Sequence, residues 1–441
     1  MINFKKTLLF YILALCFLPN TIADELHLKY LVTRCAESKE KANCVTNLAD
    51  ITIFNDGYLN TESNKSQLYN FKDKTITYFD HNNKTNYTTS LYAPLAFRKQ
   101  ELYNRGNPIS ELAKTIPFLQ FELENTFGLL FKQGSLRSLF TDSEIEGQFA
   151  FNFDNQKIAQ VSFSDYELSP QLFDSYQKLI TYEFNVHPYI KQKISAHKKI
   201  IKQIEFRYHS SFDKIQNINF ELQSASINST PQVSNYLMRW NNYNKLLSKY
   251  SKLDGFMRQA NTNQIHFNKL RYRQAFKRYM REKNYFDAVL VLHEYLLHTG
   301  EVPRREFKKL SPYIQKGTPE FKLMEAIKSA DGDVLAAYQT LVSIRAAAKE
   351  RAYIVDIFIG DLFKRQGKLD EAMSFYYRAL SHNPSIMGVY ISVGHVLFAK
   401  GYTDGAFSCY GLLKQLAPHH PMMQSVSKLE NLLQEEHPEY F

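Results

Sequence analysis

Chemistry that needs a recognisable local motif is largely missing from this chain. There is no glycine-rich phosphate loop, no Gly-x-Ser-x-Gly elbow and no Cys/His pair inside a supporting motif. Nucleotide-dependent and triad chemistry therefore have no residue set to stand on. Cysteines number only four, with no Cys-x-x-Cys and no matching His pair, which excludes the common zinc frameworks. His293, Glu294 and His298 look like a zinc-protease helix, but histidines five apart point about 140° away from each other on a helix. Paired carboxylates such as Glu144 with Glu146 are neighbours on polar stretches. No enzymatic activity, cofactor or metal is expected.

Beyond the first 18 residues, no stretch has the 18 or so uninterrupted apolar residues of a membrane-crossing helix. The N-terminus itself reads as a secretory signal peptide over residues 1–23. Lys5 and Lys6 precede the apolar run Leu8 to Leu18, and Thr21, Ile22 and Ala23 lead to a cut at Asp24. Cys16 invites a lipoprotein reading, but Leu15 before it is too bulky for that signal. An exported protein, periplasmic or secreted, is the expectation. Cys35 and Cys44 are then expected to form a disulfide, the alternative being two free thiols on a helical segment.

What is present is ordinary globular material. The 441 residues call for two or three domains, and an apolar fraction of 44% with 22% charged residues argues against wholesale disorder. The 33 Phe and 29 Tyr supply more than one core. A formal charge of +10 becomes +8 once Lys5 and Lys6 are removed, a mild bias toward anionic surfaces. Basic residues gather in three runs, Lys191 to Lys202, Arg271 to Arg281 and Arg304 to Lys309. Nucleic acid is not expected outside the cytoplasm; anionic headgroups, acidic polysaccharide or an acidic partner suit such runs better. In the second run Tyr272, Phe276 and Tyr279 form a stripe to be buried, leaving most of the Arg and Lys wet.

Residues 24 to about 48 follow a helical pattern, with Leu28, Leu31, Val32 and Cys35 on one face. The period then changes. Short strands are read at 51–54, 57–61, 66–71, 74–79 and 86–91, separated by Asn-Asp-Gly and similar turns. Helix is expected over 94–139 with breaks at Pro108 and Pro117, strands at 148–153 and 157–163, a helix over 170–184, and strands at 204–208 and 218–222. Residues 24–230 thus read as an α+β domain, one curved antiparallel sheet with helices laid against it. The hairpin from Lys74 to Leu91 and the order of elements resemble periplasmic lipoprotein-carrier-like half-barrels. That resemblance implies a concave apolar face for a lipid or other hydrophobic ligand; the other possibility is a face filled by helices as core.

After Asn228 to Pro231 the strand signals stop. Helices are expected at 233–253, 264–283, 285–298, 304–314, 320–330 and 334–349. Residues 231–314 read as a degenerate repeat-like region and 315–441 as a repeat domain with a capping helix. Two segments repeat there at a period of 34: Gly360 recurs as Gly394, Gly367 as Gly401, Ala372 as Ala406, Tyr376 as Tyr410 and Pro384 as Pro418. This register resembles tetratricopeptide repeats. The resemblance implies an all-α helical repeat array whose first helices line a groove for a protein partner. The groove residues would be Ile357, Asp361, Lys364 and Arg365 on one helix, and Ile391, His395 and Phe398 on the next. The sequence therefore points to an exported scaffold or protein-interaction protein, with a carrier of a hydrophobic ligand as the alternative.

Overall fold

The computed structural model describes residues 25–37, 42–131, 136–184, 186–211, 214–228, 233–262, 269–330 and 332–441. The signal segment, Cys16 and residues 229–231 of the expected linker lie outside them. The chain divides into two compact units, residues 1–72 with 134–243, and residues 73–133 with 244–441.

The first unit opens with four strands, β1 (Glu25–Glu37), β2 (Ala42–Phe54), β3 (Gly57–Glu62) and β4 (Lys65–Asn70). In the second unit follow the hairpin β5 (Thr75–Asp80) and β6 (Thr85–Ser90) and helices α1 (Tyr92–Thr115) and α2 (Pro117–Phe127). The first unit resumes with β7 (Phe140–Ile145), β8 (Gln148–Phe153), β9 (Gln156–Glu167), α3 (Pro170–Glu183), α4 (Pro188–Ser195), β10 (Lys199–Ser211), β11 (Lys214–Asn228) and α5 (Val233–Arg239). Its strands pair in the order β4-β3-β2-β1-β11-β10-β9-β8-β7. Neighbouring strands in this order are antiparallel.

The helix expected over the first residues is instead the central hairpin of this sheet. Leu26, Leu28, Tyr30 and Val32 alternate onto one face and are fully buried, a strand period that the helical spacing of Leu28, Leu31, Val32 and Cys35 masks. Pairing of β1 with β11, from Glu25↔Asn228 to Glu37↔Ile215, settles which period wins. Helix α3 packs on β2 and β3. Its Leu172, Tyr176, Leu179 and Ile180, with Phe184, are buried. The Tyr176 hydroxyl accepts a hydrogen bond from the Ile201 backbone N–H at 2.7 Å. Phe184 meets Tyr30 and Phe220 edge-on, with ring centroids 6.2 and 4.8 Å away. The Cys35–Cys44 disulfide bridges directly opposed residues of β1 and β2.

In the second unit β12 (Asn244–Leu246) runs parallel to β6. This strand and its flanking turns replace the middle of the helix expected over 233–253, a stretch where Asn241, Asn242 and Asn244 favour turns. Helix α1 continues through Pro108, whereas Pro117 does start a new helix. There follow α6 (Ser251–Thr262), α7 (Lys269–Arg281), α8 (Tyr285–Thr299), α9 (Arg304–Leu310), α10 (Pro319–Ser329) and α11 (Val334–Arg345). The chain ends with α12 (Ala352–Arg365), α13 (Leu369–His382), α14 (Met387–Ala399), α15 (Thr403–Leu416) and α16 (Met423–Glu436). These consecutive helices are compatible with a helical repeat array, and the fold is α+β followed by all-α.

The hairpin β5–β6 is tied into the helical unit from behind. Lys74 donates to the Gln434 side-chain oxygen at 2.7 Å, and the Tyr92 hydroxyl does so at 3.1 Å. Tyr92 also lies against Phe441 at 4.7 Å between centroids, while Arg98 donates to the Tyr440 hydroxyl at 3.1 Å.

Candidate partner-binding groove

The repeated small residues are explained by what faces them. A Cβ on Gly360 would stand 2.7 Å from the Tyr376 ring, and one on Gly394 would stand 2.5 Å from the Tyr410 ring. The two helix pairs α12–α13 and α14–α15 thus close in the same way, glycine of the first helix under tyrosine of the second. Gly367 and Gly401, at φ +71° and +78°, follow the first helix of each pair, the left-handed geometry in which glycine avoids a Cβ penalty.

Asp356 anchors this region. Its carboxylate is wholly buried and takes paired hydrogen bonds from two arginines. Arg345 of α11 reaches it at 2.7 and 3.0 Å, and Arg378 of α13 at 2.9 and 2.5 Å. The bond to Asp356 raises the Arg345 pKa. Glu294 plays a similar part nearby, accepting from Arg351 at 3.2 Å and from the Tyr353 hydroxyl at 2.8 Å.

On the side of α12 and α14, three of the expected groove residues, Asp361, Lys364 and His395, gather around one polar network. The Tyr376 hydroxyl donates to Asp361 Oδ1 at 2.6 Å, and Lys364 pairs with the same oxygen at 3.1 Å. Lys364 also reaches Ser392 Oγ of α14 at 3.3 Å, linking the two helices. Burial and the Asp361 carboxylate keep the Tyr376 hydroxyl far above its usual range, so it remains a donor. His395, one turn along α14, packs edge-on to Tyr410 with centroids 6.0 Å apart. Its burial, and then the Lys364 ammonium, hold the imidazole below its ordinary value against the opposing pull of Asp361. The network therefore presents a carboxylate, an ammonium and a neutral imidazole side by side, over the buried hydroxyls of Tyr376 and Ser392. Arg365 is exposed and Phe398 half-buried.

Ile357 and Ile391 do not share that access. Both are buried, at 1% and 0% exposure, and belong to the packing of the array. Their spacing places them on the expected face, but α8 lies against both α12 and α14. A Cβ on Gly388 of α14 would come within 2.5 Å of the Leu297 carbonyl of α8, a measure of how closely the helices approach. Ser392 and Tyr376 were not expected in the site. Tyr376 carried a signal, its 34-residue recurrence, and Ser392 carried none.

A cleft of about 530 Å³ also lies within this unit, between β5–β6, β12 and α15, and nothing in the sequence marked it. It is lined by Lys74, Thr89, Tyr92, Lys245, Phe407 and Lys414, among others. Thr89 Oγ1 is buried there without a hydrogen-bond partner. Lys414 is held by both oxygens of Glu430 at 2.6 and 2.7 Å, and Lys74 by Gln434, so two of the three lysines that line it already have partners.

Basic residues of the first run are dispersed. Lys191 is buried and donates to the Thr181 carbonyl at 3.3 Å, Lys193 pairs with Asp142, and Lys199 already lies on β10. His293 and Glu294 point to different tasks: the histidine sits between Phe307 and Phe358, and the glutamate on Arg351. Comparison with models of known protein families and with curated proteins finds no match to this chain.

Proposed function

We propose that this chain is an exported, non-enzymatic interaction protein whose C-terminal helices, built as tetratricopeptide-type repeats, hold a protein partner of the cell envelope. One observation carries the proposal. Asp361, Lys364 and His395, from the first helices of two successive pairs, stand together as a half-buried polar network tied by the buried Ser392 on a well-packed scaffold. Polar groups held in place by the fold bind a peptide without first paying to be ordered. Export is supported by the Cys35–Cys44 disulfide, a bond that persists in oxidising compartments. No helix among the described residues is long and apolar enough to cross a membrane.

The second reading places a hydrophobic ligand on the N-terminal sheet. Side chains of α3 and Phe184 occupy the apolar face of β1 to β3, which favours a filled core there. The groove reading is tested with a photo-crosslinking residue at position 365, compared with one at the exposed position 428 of α16. A discrete adduct from 365, lost in the Asp361→Lys/Lys364→Glu background, is expected. The same adduct from 428, or one indifferent to the double substitution, would sink the groove.

A further inference from the structure

Two of the three basic runs, separated by more than twenty residues of sequence, end up on one surface. Helices α7 and α9 both pack on α8. Residues 269–281 carry six cationic side chains and no acidic one; residues 304–310 carry four and a single glutamate. Their combined excess of +9 compares with +10 for the entire chain. The rest of the protein is thus close to neutral in net charge, and these two helices concentrate the excess.

The surface is concave. A groove of about 530 Å³ is lined by Gln274, Phe276, Lys277, Met280 and Arg281 of α7 and by Lys309 of α9. Gln274, Lys277 and Arg281, at i, i+3 and i+7, form one stripe along α7. Phe276 is buried and Met280 half-buried, while the amide and the three cations are exposed. Among the described residues no carboxylate pairs with Lys277, Arg281 or Lys309, whereas the neighbouring Arg278 has Glu282 at 3.9 Å. The cations are therefore uncompensated around an apolar floor.

We infer that this groove binds an acidic peptide segment of a partner protein, with carboxylates on Lys277, Arg281 and Lys309 and an apolar side chain on Phe276 and Met280. Charge complementarity selects an anion, and Arg281 offers the planar fork that suits a carboxylate. Methionine adapts to apolar side chains of varied shape. Concavity selects a peptide over a bilayer, because a flat headgroup surface can meet the rim but not the floor. This site is independent of the Asp361–His395 groove, and either can fail without the other.

The test uses the full mature chain and a fluorescein-labelled 12-residue peptide of Glu and Asp around a central Leu, read by fluorescence anisotropy. Binding that weakens steeply with salt is expected. It should weaken at least tenfold in Lys277→Gln/Arg281→Gln/Lys309→Gln, and severalfold when the central Leu becomes Gly. A control with the same loss of charge elsewhere, Lys316→Gln/Lys322→Gln/Lys328→Gln, should stay within twofold of the native chain. Equal losses in the two triple variants would reduce the effect to net charge and overturn the site. So would absence of peptide binding at low salt. Sedimentation with 1:1 phosphatidylglycerol–phosphatidylcholine vesicles that depends on Lys277, Arg281 and Lys309, without peptide binding, would replace the peptide by a membrane surface.

Discussion

Single residues in the repeat pairs set a balance between helix propensity and packing. Gly360→Ala gains about 1 kcal/mol of helix propensity but places a methyl 2.7 Å from a Tyr376 ring whose hydroxyl is tied to Asp361. The ring cannot retreat without losing that bond, so a net loss of about 1–3 kcal/mol is expected in urea unfolding. Gly411, exposed on α15 with nothing within 4 Å of its Cβ position, should respond with the opposite sign. Matching stabilisation in both alanine variants would refute the packing argument. Asp356→Asn leaves the part-exposed Arg345 and Arg378 facing a neutral group, and a loss of about 1–3 kcal/mol is expected in the same measurement.

His293 supplies a pH dependence. Burial between Phe307 and Phe358 pushes its imidazole down to about 4, and neither ring nitrogen has a partner. Between pH 4 and 6.5 the unfolded chain binds a proton there that the folded chain refuses. Stability is consequently full above pH 6.5 and declines as pH falls toward 4. His298, also pushed down to about 4 by burial, adds to the decline. Thermal midpoints of His293→Phe recorded from pH 7 to 4 should show a shallower fall, recovering about 1–3 kcal/mol at the acid end. An unchanged slope would mean that His293 does not carry the effect.

At the level of elements, local pattern and actual structure agree where turn chemistry is strong. The strands from Ile51 to Leu91 were legible because Asn55-Asp56-Gly57 and Asn82-Asn83-Lys84 punctuate alternating side chains. Leu28, Leu31, Val32 and Cys35 misled because their spacing satisfies a helix while Leu26, Leu28, Tyr30 and Val32 satisfy a strand. The disulfide was legible as a pair, yet its setting changed from a helical segment to the β1–β2 hairpin. Cys44→Ala should cost about 2–3 kcal/mol by the chain-entropy argument, with amide exchange accelerating first in β1 and β2. Reductant should shift the native protein to the same midpoint and leave the variant unmoved; a variant as stable as the oxidised protein would rule out a stabilising bond.

For the whole molecule, compactness does not follow chain order. Residues 73–133 share a unit with 244–441, and the contacts of Lys74, Tyr92 and Arg98 with Gln434, Tyr440 and Phe441 show how. Removal of residues 437–441 should therefore raise amide exchange in α1, around residues 92–100, while β1 and β11 keep their protection. Faster exchange spread evenly over both units would contradict that division.

By itself the sequence determined the elements whose signals are local: the turns and short strands up to Leu91, the paired helices with their 34-residue register, and the buried stripe of Tyr272, Phe276 and Tyr279. Those depend on residues within a turn or two of each other, where period and backbone preference act directly. Tertiary structure alone decided that residues 25–37 and 42–50 are strands, that Ile357 and Ile391 are buried, and that Lys277, Arg281 and Lys309 share a groove. Each of these outcomes is fixed by a neighbour distant in sequence: β11 for β1, α8 for α14, α9 for α7. Burial and charge convergence are properties of such pairings, and no local pattern contains them.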